Sequence, residues 1–271
     1  MLNVVTTSKY VIKFLFLIII SMNISSCNHK EDNVLKIGTI AGAETELALV
    51  GRDVAQKQYG LKVQIIEFND FNLPNVALQD GSIDANIYQH LPYLQSTIKA
   101  YGYNLESIGK TFIYPVAIYS KKYKTIQQLP QHAIIAIPND PSNESRALLL
   151  LEHAGLLKLN YNNAHSAGLS DIISNPKALQ IKELDAAQLP RILIDVDAAI
   201  INTTFSAEAG LKLDQDSIFI ERSDSPYANI IVINKNSTKK QQLQLFVKAM
   251  QSDAVKIKAQ QLFGDAAISA W

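Results

Sequence analysis

Several residue patterns are scarce or missing in this chain, and each absence excludes a class of protein. The 271 residues include one cysteine, Cys27, so no intrachain disulfide can form. Basic and acidic residues balance at 25 each, and no basic run is dense enough for nucleic-acid binding. The five histidines lack metal-ligand spacing, and neither a Gly-x-Ser-x-Gly motif nor a phosphate-binding glycine loop occurs. The sequence therefore predicts a protein that is not an enzyme and has no metal or cofactor.

One pair of carboxylates qualifies that prediction. Asp195 and Asp197 alternate along one segment and so point to the same side of it. Paired carboxylates can perform acid–base catalysis. Such residues more often cap strand edges or are solvated, and we expect that role here.

The first 33 residues have the pattern of a secreted, lipid-anchored protein. Lys9 and Lys13 flank the start of an apolar run at 14–20, which is shorter than the roughly 20 residues that span a bilayer. Basic residues followed by such a run are typical of a signal peptide. Ile24-Ser25-Ser26-Cys27 then resembles the lipobox of bacterial lipoproteins. We expect a signal peptide at 1–26, acylation of Cys27 and a polar lipidated tether at 27–33.

Strand and helix patterns alternate from residue 34 onward. A first set has predicted strands at 34–40, 61–68 and 83–88 with helices at 44–59 and 94–101. This alternation is typical of a parallel sheet with crossover helices. A second set has predicted strands at 133–137, 178–184, 198–201 and 218–221 with helices at 143–154 and 186–191. An amphipathic stretch at 239–262 predicts a single C-terminal helix.

Two long apolar segments, 112–119 and 227–234, connect the two α/β sets. We therefore expect two lobes joined by two crossing hinge strands, with a ligand cleft between the lobes. The predicted bounds are 34–113 and 228–271 for lobe 1, 118–223 for lobe 2, and 114–117 and 224–227 for the hinges.

Polar clusters follow several predicted strands, and ligands of open α/β sheets bind at those strand ends. The clusters are 69–71, 88–90, 138–146 and 202–205. In the third cluster, Ser142 or Asn143 can cap a helix that carries Arg146 in its first two turns. A guanidinium beside a helix N-terminus makes a site for a carboxylate. The alternative is a solvated arginine on a surface helix.

The other candidate groups match the remaining parts of an amino acid, which are its ammonium group and its side chain. Amide oxygens of Asn202 and Asn229 suit an ammonium group, and Asn229 lies within an apolar strand, where a buried amide needs partners. Aromatic rings suit an apolar or thioether side chain. The candidates of that kind are Phe71, Tyr88, Tyr93 and His90. Tyr93 as a packing residue and His90 as a hydrogen-bonded structural residue stay open as alternatives.

Several long motifs, in order along the chain, carry a resemblance to a known family. They are NIYQHLPYL at 86–94, YPVAIYSKK at 114–122, PNDPSN at 138–143 with RAL at 146–148, LDAAQLPR at 184–191, DVDAAIIN at 195–202 and DSPYAN at 224–229. At these residues the chain resembles the methionine-binding lipoproteins of the MetQ/NlpA type, the substrate-binding components of ABC importers. The resemblance covers nearly all of the chain after the tether.

The resemblance implies a two-lobed periplasmic-binding-protein fold, type II-like, that closes on L-methionine and delivers it to a membrane permease. It implies that Arg146 binds the ligand carboxylate and that Asn202 and Asn229 hold the amino-acid backbone. The side-chain pocket would be lined by Phe71, Tyr88, His90 and Tyr93. The protein would be held at the cell membrane by its lipid anchor, facing the periplasm or the outer face of the cell, with inner and outer membrane both open.

The chain departs from the family pattern at three places. The usual Pro-Gly-Pro-His-type loop after the first strand is replaced by residues 40–44, the usual Asn-Tyr pair by Thr204-Phe205, and the usual Asp-Tyr pair by Asp70-Phe71. Relative to the family pattern, the chain therefore lacks two tyrosine hydroxyls, and this loss could alter which ligand side chain the pocket selects. D-methionine, another apolar amino acid and a short peptide therefore stay open as ligands. An adhesion or signalling lipoprotein is the alternative from another class.

Overall fold

The computed structural model describes residues 34–161, 167–222 and 226–271. The predicted signal peptide at 1–26 and the tether at 27–33, with Cys27, lie outside the described residues. Within them, strands and helices alternate as the sequence predicts, and the strands form two main sheets. No helix in the described part of the chain is long and apolar enough to cross a membrane.

The first sheet has six strands, numbered along the chain: β1 (Val34–Ile40), β2 (Lys62–Phe68), β3 (Ala85–His90), β4 (Leu105–Ile113), β12 (Ala228–Asn234) and β13 (Ile268–Ser269). Their order across the sheet is β13-β4-β12-β3-β1-β2. β1 runs parallel to β2 and β3, whereas β12 runs antiparallel to β3 and β4. The predicted parallel pairing thus holds for β1, β2 and β3, and the later strands make the sheet mixed.

Five helices accompany this sheet: α1 (Ala43–Tyr59), α2 (Leu73–Gln79), α3 (Leu91–Tyr101), α8 (Lys240–Met250) and α9 (Asp253–Phe263). The prediction of one helix over 239–262 is wrong, because the helix is interrupted at Gln251 and Ser252. Ser252 has an extended backbone and stands at the N-cap of α9, although its hydroxyl makes no capping hydrogen bond. Ile257 of α9 is 61% exposed and so is not part of the buried apolar face.

The second sheet has five strands: β5 (Ala117–Tyr119), β6 (Ile134–Pro138), β9 (Gln180–Leu184), β10 (Ala198–Ile201) and β11 (Ser217–Ile220). Their order is β11-β5-β10-β6-β9, with β6 parallel to β9 and β10. The associated helices are α4 (Pro141–His153), α5 (Leu189–Ile192), α6 (Thr203–Glu208) and α7 (Leu213–Asp216). A separate two-stranded sheet pairs β7 (Lys158–Leu159) with β8 (Ile172–Ser174). The short elements β7, β8, β13, α6 and α7 were not predicted, because they are too short to show a period.

The chain passes from the first sheet to the second between β4 and β5, and it returns between β11 and β12. Apolar side chains of both halves meet in one buried cluster, which includes Phe71 and Tyr88 from the first and Tyr119 and Phe205 from the second. The bounds predicted for the lobes and hinges stay predictions, and residues 224–225 of the second hinge lie outside the described residues.

Candidate ligand-binding site

A single cavity gathers the seven ligand-binding residues that the sequence predicts. Its free volume is about 20 Å³, room for about one water molecule, so the side chains around it are closely packed. The predicted residues on its wall are Phe71, Tyr88, His90, Tyr93, Arg146, Asn202 and Asn229. The wall also includes five residues that were not among the predicted ligand-binding residues, although all but Tyr114 lie in the predicted polar clusters: Gln89, Tyr114, Asn143, Thr203 and Thr204.

The cavity lies where strands of both sheets end, as expected for an open α/β fold. Phe71 follows β2, Arg146 lies in the helix after β6, and Asn202 follows β10. Residues 88–90, predicted to follow the third strand, are instead its last three residues. His90 also stands at the N-cap of α3, where its Nδ1 accepts a hydrogen bond from the backbone N–H of Tyr93 at 3.2 Å.

Arg146 is buried, 4% exposed, and most of its donors are occupied by the protein. Its Nε donates to Oε1 of Glu221 at 2.9 Å, and its Nη2 donates to Oε2 of Glu221 and to the backbone carbonyl of Tyr114. The guanidinium carbon lies 4.3 Å from the ring centroid of Tyr227. No described residue accepts from Nη1, which leaves that nitrogen for a ligand. The alternative of a solvated surface arginine is wrong.

The helix that carries Arg146 begins differently from the prediction. Asp140, rather than Ser142 or Asn143, is the N-cap of α4, and its carboxylate accepts from the backbone N–H of Asn143 at 3.0 Å. Burial raises the pKa of Asp140, while hydrogen bonds from Asn143 and Ser142 act in the opposite direction. The protein's own carboxylate therefore already occupies the end of this helix.

Asn143 links the two halves of the cavity wall. Its Oδ1 accepts from Nδ2 of Asn202 at 2.9 Å and pairs with Nε2 of His90 at 3.2 Å, while its Nδ2 donates to Asp140 at 2.9 Å. Because Nδ1 of His90 is an acceptor from Tyr93, the ring proton belongs on Nε2, which donates to Asn143. Asn143 thereby fixes the orientation of His90 and Asn202.

Buried polar atoms without partners are concentrated at this cavity. In the described part of the chain, four buried side-chain N or O atoms have no hydrogen-bond partner: Oε2 of Glu44, the hydroxyl of Tyr88, Oδ1 of Asn202 and Oγ of Ser252. Tyr88 and Asn202 line the cavity, and Glu44 is bonded to two lining residues, Thr204 and Asn229. An unsatisfied buried polar atom costs about 1–3 kcal/mol. A polar ligand would supply the missing partners.

One side of the cavity is an aromatic wall. The ring centroid of Phe71 lies 5.7 Å from that of Tyr88, 6.1 Å from that of Tyr93 and 4.7 Å from that of Phe205. The hydroxyl of Tyr93 donates to the backbone carbonyl of Phe71 at 2.8 Å, so Tyr93 both lines the cavity and holds the loop after β2. This wall suits an apolar side chain.

The remaining candidate for catalysis has a structural role. The carboxylate of Asp197 accepts from the backbone N–H of Ile134 at 2.8 Å and from Nζ of Lys122 at 3.3 Å. These contacts tie the start of β6 to the segment after β5. Among the described residues, no group of three or more His, Cys, Asp or Glu side chains is placed to hold a metal ion.

Comparison with known proteins gives the family. The model of the NlpA lipoprotein family matches residues 35–271. The chain belongs to this family. The probable D-methionine-binding lipoprotein MetQ of Vibrio cholerae is 46% identical over 250 residues, which cover 92% of this chain and 93% of that protein.

Solved structures agree with this family membership. A periplasmic substrate-binding protein of an ABC transporter from Coxiella burnetii is 51% identical, with a TM-score of 0.85 over 87% of this chain and 100% of that one. A nutrient-binding protein from Burkholderia cenocepacia, solved bound to methionine, is 46% identical, with a TM-score of 0.85 over 88% and 100% of the two chains. The predicted family and the two-lobed α/β fold class are confirmed.

Two charged residues at the site were not among the residues predicted from the sequence. Glu44 is the second residue of α1, four positions after the end of β1, and Glu221 directly follows β11. Both therefore lie near strand ends, which is the signal that selected the other candidates. A consistent search of every strand end would have included them.

Proposed function

We propose that this NlpA-family protein is the substrate-binding lipoprotein of an ABC importer and that it binds L-methionine in the cavity described above. The observation that carries the proposal is the set of unpartnered polar groups around one small cavity with an aromatic wall. Arg146 offers a donor to a carboxylate, and Oδ1 of Asn202 offers an acceptor to an ammonium group. The names of two relatives support methionine as the ligand: one is named for D-methionine, and the other was solved bound to methionine of unstated configuration.

The contacts between the two halves favour a single amino acid over a dipeptide. Hydrogen bonds join His90 to Asn143 and Thr204 to Glu44 across the cavity, and the ring of Phe71 packs against that of Phe205. These contacts close the cavity on several sides, and closure strengthens charge-assisted hydrogen bonds by excluding water. Any ligand needs these contacts to loosen, and a dipeptide, being larger, would require more of them to separate than a single amino acid does.

The proposal includes the anchor and the partner. Cys27 carries lipid chains after cleavage at residue 26, and several acyl chains hold a protein firmly at a membrane. The globular body then works at the membrane surface facing the periplasm, or on the outer face of the cell, and delivers its ligand to an ABC permease.

A calorimetric and thermal-shift panel tests the ligand. The panel contains L-methionine, D-methionine, norleucine, leucine and glycylmethionine, measured on protein that has been unfolded and refolded to remove any ligand carried from cells. We expect L-methionine to bind most tightly and to raise Tm in a concentration-dependent way. Tighter binding of glycylmethionine than of methionine would replace the proposed ligand with a dipeptide. No shift with any amino acid or dipeptide would overturn the transport function in favour of adhesion or signalling.

A further inference from the structure

Glu44 is a buried carboxyl group at the edge of the proposed ligand site. It is 7% exposed, in the first turn of α1. Its Oε1 accepts from Oγ1 of Thr204 at 2.8 Å and from Nδ2 of Asn229 at 3.3 Å. Thr204 belongs to the half of the molecule that contains the second sheet, and Asn229 to the half that contains the first. Glu44 therefore reaches the point where the two halves meet at the cavity.

The second oxygen of this carboxyl group is unused. Oε2 is buried and has no hydrogen-bond partner among the described residues. Burial raises the pKa of Glu44 from 4.5 to about 8, and the hydrogen bond from Thr204 only partly opposes this. The group is therefore mostly protonated at pH 7 when the site holds no cation.

Among the described residues, no cation is paired with Glu44. Tyr114 faces it from the segment after β4, and its own pKa is raised by burial and then by the charge of Glu44. Glu208 of α6 lies beside Gly42, just before α1. The nearby cation of the cavity, Arg146, is paired with Glu221. The ligand's ammonium group is then the cation available to an ionised Glu44.

We propose that Glu44 binds the α-ammonium group of the amino acid and that its carboxyl group releases its proton to solvent when the ligand binds. An N–H···O hydrogen bond to Oε2 forms as the O–H bond of the carboxyl group breaks. The bound zwitterion then has a carboxylate facing Arg146 and an ammonium facing Glu44. The inference rests on the proposed function, because it assumes an amino-acid ligand.

The proton that Glu44 is proposed to release on ligand binding can be measured directly. Calorimetry with L-methionine at pH 6, 7 and 8, repeated in buffers of different ionisation enthalpy, counts the protons released. We expect the wild type to release close to one proton per ligand at pH 6–7 and its affinity to rise by up to about tenfold per pH unit below pH 8. The deaminated analogue 4-(methylthio)butanoic acid should bind more weakly and release no proton.

Glu44→Gln keeps the shape of the side chain and an acceptor for the Thr204 hydroxyl, but the new amide cannot ionise. We expect this variant to bind L-methionine at least about tenfold more weakly at pH 8, with no proton release and a flat pH profile, and to bind the deaminated analogue like the wild type. The matched control is Glu46→Gln on the same helix, since Glu46 is exposed and pairs with Lys258. This control should retain the wild-type pH profile.

The outcomes separate this inference from the proposed function. Methionine binding by the wild type without proton release, or a Glu44→Gln variant with wild-type affinity and pH profile, would overturn the role of Glu44 alone. Absence of methionine binding by the wild type would overturn the proposed function, and the role of Glu44 with it. The proton count on the wild type needs no variant, so a variant that fails to fold leaves the inference testable.

Discussion

The pair formed by Arg146 and Glu221 allows ligand binding and folding to be separated by mutation. Arg146→Ala removes a charge-assisted bond to the ligand carboxylate that is worth about 1.5–3 kcal/mol, or roughly a 10- to 150-fold loss of methionine affinity. The same change leaves Glu221, whose side chain is 12% exposed, without its cation. Breaking a buried ion pair from one side costs about 3–5 kcal/mol. For a body of this size, Tm should fall by roughly 6–20 °C.

The double variant Arg146→Ala/Glu221→Gln distinguishes the two effects. The neutral amide introduced at position 221 removes the uncompensated charge, so we expect the double variant to recover at least half of the lost stability. Its methionine affinity should stay as low as that of Arg146→Ala, because the donor to the ligand is still missing. Unfolding is followed by urea denaturation and binding by calorimetry at a temperature where every variant is folded.

One result would refute this reasoning. If Arg146→Ala lowers stability but binds methionine with wild-type affinity, Arg146 only holds Glu221 and the carboxylate-binding role is wrong. Arg191→Ala serves as the control, because Arg191 is an exposed arginine on α5. It should change neither Tm nor affinity.

Three further predictions follow from packing and charge. A Cβ at Gly109 would lie 2.6 Å from Cγ1 of Val247, so Gly109→Ala should cost about 1–3 kcal/mol in urea unfolding. Burial raises the pKa of Glu44 from 4.5 to about 8, so the folded state holds this proton more tightly than the unfolded chain. This contribution to the unfolding free energy of the ligand-free protein is present below pH 4.5 and is lost as pH rises to 8, by up to about 1.4 kcal/mol per unit. Phe71→Leu should remove a sulfur–aromatic contact of about 0.3–1.5 kcal/mol and weaken methionine binding by up to about tenfold in calorimetry.

Each of these has a matched control. The double variant Gly109→Ala/Val247→Ala relieves the clash, and a G109A variant as stable as wild type would contradict the packing argument. The pH effect is the difference in urea stability between wild type and Glu44→Gln from pH 5 to pH 8, and a constant difference would refute it. Norleucine lacks sulfur and should lose less affinity than methionine to the Phe71 change; equal losses would show that ring volume alone matters.

The sequence anticipated the local elements closely because their signals are local. The predicted strand 34–40 coincides with β1, and the helix predicted at 44–59 begins within one residue of α1. Strand alternation, apolar runs and the glycine stop at Gly60 are properties of a few neighbouring residues, so they can be recognised without tertiary contacts. The break at Ser252 was missed because the apolar stripe continues on both sides of it.

The candidate site was anticipated in composition but not in its electrostatics. Seven residues line one cavity; all were chosen for their chemistry, most of them for a place at or after a strand end and Asn229 for its place inside an apolar strand. Their pairing was not visible, since Arg146 and Glu221 are 75 residues apart and Glu44 and Thr204 are 160 apart. Their roles in ligand binding stay proposals until the variants are measured.

By itself, the sequence determined the α/β class, the order of those strands and helices that show a clear period, and the residue types available to an amino-acid ligand. Periodicity and turn chemistry encode those properties locally. Only the tertiary structure decided that Glu221 pairs with Arg146, that Asn143 orients His90 and Asn202, and that Glu44 is buried with an unused oxygen beside residues that line the cavity. Burial and ion pairing depend on segments that are distant in the sequence and meet only in the folded protein. They determine which charged and polar groups of the site remain available to a ligand.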